Sequence, residues 1–106
     1  MEIKVPREIQ VGGHTYRVLL SKDGLRDECY HGVVNHRTQE IRINAQRPAS
    51  QRAEAFLHEI LHVVDIVYGQ KESKEEIIHN FGEGLTQALC KGLDIELDWS
   101  DIPEEE

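Results

Sequence analysis

The feature that most constrains this chain is a change in hydrophobic period at Pro48. Before it, apolar residues alternate with polar ones. After it, they recur every three to four residues. A period of two puts alternate side chains on one face of a strand, and a period near 3.6 puts them on one side of a helix. Strands first and helices afterwards predict an α+β fold, with antiparallel strands in two hairpins packed on two helices.

The strands are read as follows. Ile3, Val5, Ile9 and Val11 lead to the turn dipeptide Gly12-Gly13, after which Tyr16, Val18 and Leu20 alternate with polar neighbours. This predicts an opening hairpin. Residues 21–30 are charged, contain Gly24 and read as a connection. A second hairpin joins Gly32-Val33-Val34 to Glu40-Ile41-Arg42-Ile43-Asn44 across Asn35 to Gln39.

The helices have expected ends. Ser50 is the expected N-cap of a helix from Gln51 to Tyr68, stopped by Gly69. Ser73 is the expected cap of a second helix from about Lys74 to Lys91, where Glu75 and Glu76 suit the positive end of the helix dipole. The acidic tail, residues 94–106, reads as a short strand near Ile95 to Leu97 followed by a frayed end.

A chain of 106 residues suits one domain and buries little enough surface that a metal or partner often assists. Its net charge of −8 opposes phosphate backbones and anionic membranes, so neither nucleic acid nor membrane is an expected partner. Cys29 and Cys90 form no CxxC pair and read as free thiols. The first ten residues hold no apolar stretch of signal-peptide length, and no stretch approaches a membrane span. A cytoplasmic protein is expected.

His58-Glu59-Ile60-Leu61-His62 carries the chemistry. Histidines four residues apart on a helix project from one face and reach one metal ion, while the glutamate between them can take a proton from water. Phe56, Leu57, Ile60, Leu61, Val63, Val64, Val67 and Tyr68 cover a wide arc, so the helix reads as apolar almost all round. His58, His62 and Asp65 form the remaining stripe. Buried polar groups need partners, and one zinc ion per chain would satisfy them. The opposing reading is an accidental motif with hydrogen-bonded core histidines.

A third ligand must come from elsewhere, and the second helix offers Glu75, Glu76 and His79. Glu75 flanks the apolar face formed by Ile77, Ile78, Phe81, Leu85, Ala88 and Leu89, so it is the favoured ligand. Glu76 points nearly opposite, and His79 follows Glu75 by one turn. Asp65 reads as a residue that steadies a ligand histidine. His14, His31 and His36 read as inert surface histidines.

With these residues in view, the stretch from Gly32 to Leu89 resembles the small gluzincin-type metallopeptidases, including phage-associated HExxH proteins and minigluzincins. The resemblance implies zinc ligands His58, His62 and Glu75, with Glu59 as general base, in a peptidase acting on peptide or protein substrates. It implies that the strand from Glu40 to Asn44 is an edge that receives an extended peptide, making Glu40, Ile41, Arg42 and Ile43 substrate-binding. Tyr30, Tyr68 and His79 are candidates to stabilise an oxyanion. Latency in some minigluzincins implies that the tail around Trp99 fills the cleft.

Two rival readings stand beside this one. A purely structural zinc site would need a fourth protein ligand, such as His79 or Asp65. A di-iron carboxylate site would use Glu59-x-x-His62 and Glu76-x-x-His79.

Overall fold

The structure is a computed structural model describing residues 1–22, 31–69 and 74–105. Elements follow the order β1 (Glu2–Lys4), β2 (Glu8–Val11), β3 (His14–Ser21), β4 (Gly32–Asn35), β5 (Glu40–Asn44), α1 (Ala49–Tyr68), α2 (Glu75–Thr86), a π-helical end (Gln87–Gly92), β6 (Glu96–Asp98) and β7 (Glu104–Glu105).

Both expected hairpins form. Val11 pairs with His14 across the Gly12-Gly13 turn, where Gly12 takes φ +62. That left-handed conformation favours glycine. A side chain at Gly12 would also meet Val67 of α1, whose Cγ1 lies 2.8 Å from the Cβ position. In the second hairpin, Asn35 Oδ1 accepts the Arg37 and Thr38 amides at 3.0 and 3.1 Å and shapes the turn.

The hairpins join differently from expectation. β3 runs parallel to β5, giving the order β2-β3-β5-β4, and β7 adds to β3 in parallel at Leu20 and Ser21. β1 and β6 form a separate two-stranded parallel sheet. β5 is therefore an interior strand with both sides paired, and the expectation that Glu40–Asn44 is the edge is overturned. The edge is β4.

α1 lies against one face of the main sheet. Tyr16, Val18 and Leu20 of β3, with Ile41 and Ile43 of β5, meet Ala55, Phe56 and Val63 of α1 in one hydrophobic cluster. Ile41 and Ile43 have no exposed surface. On alternate positions of β5, Glu40 pairs with Arg17, and Arg42 pairs with Glu40 and Glu105. The period of two thus sends the four proposed substrate-binding residues into the core or into surface ion pairs.

α1 begins two residues before the expected start. Pro48 occupies its N-cap, no side chain caps it, and Ser50 lies inside the helix. Arg52 anchors the start by donating to the carbonyls of Arg47 and Ala45. Gly69 ends α1 as expected, its amide donating to the Asp65 carbonyl at 2.8 Å. Lys74 is the N-cap of α2; Ser73, the expected cap, lies outside the described residues. The second helix continues to Gly92, but as a π-helix from Gln87.

The helix faces also differ from the wheel reading. α1 buries one side, while Tyr68 is 67% exposed and Val64 38%. On α2, Ile78 and Gly82 are buried, whereas Ile77, Phe81 and Leu85 are exposed. No helix among the described residues is long and apolar enough to cross a membrane.

The tail is not frayed. Val5 donates its amide to the Asp98 carbonyl at 2.8 Å, and Leu20 donates to that of Pro103 at 3.0 Å. Trp99 and Ile102 belong to the main cluster, with the Trp99 ring edge-on to Phe56 at 5.3 Å between centroids. The tail is a structural part of the core, which overturns its expected place in the cleft. Trp99→Ala should lower stability by about 3 kcal/mol or more, read by urea denaturation followed by circular dichroism. A loss below about 1 kcal/mol would contradict this packing.

Candidate metal centre

α1 and α2 cross closely because of Gly82, whose absent side chain leaves room for His58. A Cβ there would lie 3.4 Å from His58 Cα and 3.6 Å from its Cβ. This approach brings the N-terminal turn of α2 over the histidines of α1.

His58 and His62 turn their Nε2 atoms towards each other at 3.1 Å. The Glu75 carboxylate straddles them, with Oε1 2.9 Å from His58 Nε2 and Oε2 2.9 Å from His62 Nε2. These three residues form a converging group able to hold a metal ion. Ligands of a tetrahedral zinc at about 2.0–2.1 Å lie roughly 3.3 Å apart, close to the histidine spacing here. Two imidazoles and one carboxylate also match the donor types of a catalytic zinc. Burial, the largest influence, lowers the His58 pKa against the opposing pull of Glu75, and so favours the neutral ring that ligates metal.

Glu59 sits beside this group and is buried at 7% exposure. Burial, reinforced by the Glu75 charge, pushes its pKa up to about 7. A carboxyl poised there can both take and return a proton near neutral pH.

The group opens into a cleft of about 470 Å³ lined by Gly32, Val33, Val34, His36, His58, Glu59, His62 and Glu75. The outer side of β4 pairs with no strand among the described residues, so its edge forms one wall. Neither Glu40–Ile43 nor the tail contributes to it.

The remaining expectations sort as follows. Glu76 is exposed and joins neither converging group, although the di-iron reading requires it. Asp65 lies outside both groups, its Oδ1 against Gly69. The His79 ring stands 6.0 Å from that of His58. Tyr68, exposed at the end of α1, does not line the cleft, and Tyr30 lies outside the described residues. Cys90 is a free thiol; Cys29 lies outside the described residues. His31 and His36, read as inert, both line cavities at the centre, and His36 Nδ1 bonds Tyr16 Oη at 3.0 Å. Their only sequence signal was position, immediately before and after the strand that became the edge.

Two predictions test this geometry. Gly82→Ala should be tolerated, because its Cβ makes ordinary contact and a helical glycine is replaced. Gly82→Leu should weaken zinc binding by about tenfold or more by parting the helices; equal affinities in a chelator competition would refute the close approach. The second concerns pH in the metal-free protein. A folded pKa raised from 4.5 to about 7 means that folded Glu59 holds its proton where the unfolded chain has lost it. That stabilisation is complete below pH 4.5 and is lost as pH rises through 7. Relative to Glu59→Gln, wild type should lose up to about 3 kcal/mol of stability between pH 4.5 and 8.5. A constant difference would place Glu59 in water.

Compared with protein-family models, curated proteins and solved structures, the chain matches none.

Proposed function

We propose that the protein is a zinc-dependent peptidase that hydrolyses peptide bonds in the cleft between α1 and β4. The observation that carries this reading is the convergence of His58, His62 and Glu75 beside a buried Glu59 near its neutral point.

His58, His62 and Glu75 would hold the ion, leaving room for substrate on the cleft side. Zinc in such a site supplies Lewis-acid polarisation and lowers the pKa of water towards ~7. Glu59 takes the proton from the attacking water and returns it to the departing amine. Its burial is what suits it to both halves of the task, since an exposed glutamate would hold its proton too weakly to return it. The outer edge of β4, unpaired among the described residues, offers main-chain groups to an extended peptide, and Val33 and Val34 line the wall beneath it. That strand takes the role first expected of Glu40–Ile43. A cytoplasmic location is part of the same proposal.

The test is metal content together with hydrolysis of a mixed peptide pool. The wild-type protein should carry about one zinc or more per chain and cleave peptides. Glu59→Gln should keep the zinc and lose at least about 10²-fold in rate. Retained turnover in that variant would remove Glu59 from the chemistry. Zinc without turnover in the wild type would leave a structural metal site.

A further inference from the structure

Glu54 precedes His58 by four residues on α1, and His79 and Glu83 follow Glu75 by four and eight on α2. Each helix therefore carries a row of three ligand-type side chains one turn apart: Glu54, His58 and His62 on α1, and Glu75, His79 and Glu83 on α2. The close approach at Gly82 sets the rows face to face. His58, His62 and Glu75 meet at one end. At the other, ligand atoms of Glu54, His79 and Glu83 lie within 4.8 Å of one another.

We infer that Glu54, His79 and Glu83 form a second divalent-cation site, whose nearest residue on each helix lies one turn from the first. His79 Nε2 already lies 3.0 Å from Glu83 Oε1. As a lone surface pair on one helix, that contact contributes little. Glu54 changes the case, because it brings a second carboxylate to the same point from the other helix. Two carboxylates converging on one imidazole repel each other, and a cation relieves the repulsion. One nitrogen and two carboxylate oxygens suit zinc, manganese or ferrous iron.

The surroundings also suit an ion. Glu54 and His79 line a cavity of about 300 Å³ shared with His31, His58 and Glu59, which leaves space for water to complete the coordination. One helical turn is about 5.4 Å, longer than the ~3.5–4 Å of metal pairs bridged by a single oxygen. The two sites therefore load separately, and the inference does not depend on hydrolysis.

The experiment is equilibrium dialysis against buffered free zinc, with bound metal counted by plasma mass spectrometry. Wild type should reach two zinc per chain, with both His79→Ala/Glu83→Gln and His58→Ala/His62→Ala reaching one. His79 and Glu83 are about half exposed, so their replacement should leave the fold intact, as circular dichroism will verify. Glu54→Gln provides an independent variant that should also reach one. A single zinc in wild type that survives both Glu54→Gln and His79→Ala/Glu83→Gln overturns the second site and leaves the first standing. A single zinc lost in those variants and kept in His58→Ala/His62→Ala upholds the second site and rejects the first. No zinc at any concentration overturns both.

Discussion

The site depends on how closely two helices approach at one glycine. Gly82 lies against the backbone of His58, with nothing between the helices at that level. From there, α2 can lay Glu75 across both histidines while its next two turns hold His79 and Glu83 near Glu54. A residue larger than alanine would separate the rows without altering any of the converging side chains. In the proposed site the converging side chains would supply the chemistry, and the glycine supplies the distance at which they converge.

The sheet supplies the other constraint. α1 is held by Ala55, Phe56 and Val63 against Ile41, Ile43 and Val18. The same α1 turn that carries His58 carries the buried residues Ala55, Phe56 and Glu59. Rotation of α1 about its axis would therefore break packing as it misaligned the histidines. Glu59 is the polar member of that buried face. Its raised pKa arises from that burial, with the nearby Glu75 charge adding to it.

Much of this was legible in the sequence for a definite reason. Alternation at Ile41 and Ile43, the Gly12-Gly13 turn and the Gly69 stop are local signals, and each corresponds to an observed element. The four-residue spacing of His58 and His62 fixes their common face once the helix exists. What alternation cannot encode is strand order. It separates the two faces of β5 but does not reveal that β3 would pair with it in parallel and bury both its sides. The second helix misled for a similar reason. Ile77, Phe81 and Leu85 form an apolar stripe, yet α2 buries Ile78 and Gly82 instead, because Gly82 permits the closer contact. The tail was misread because its charges are local, while its two anchors, Trp99 and Ile102, act at a distance. The Glu54 and Glu83 positions were readable from spacing alone, one turn beyond His58 and His79.

The position of Trp99 has a consequence for the order of assembly. During synthesis both helices emerge before it, so His58, His62 and Glu75 exist while the wall behind Phe56 is still missing. The strand pairing of Leu20 with Pro103 and Glu104 waits as well. The nascent chain must therefore hold these side chains on an unfinished scaffold until Trp99, Ile102 and Pro103 have been added. A cation captured early would tie the two helices together before the sheet could register them.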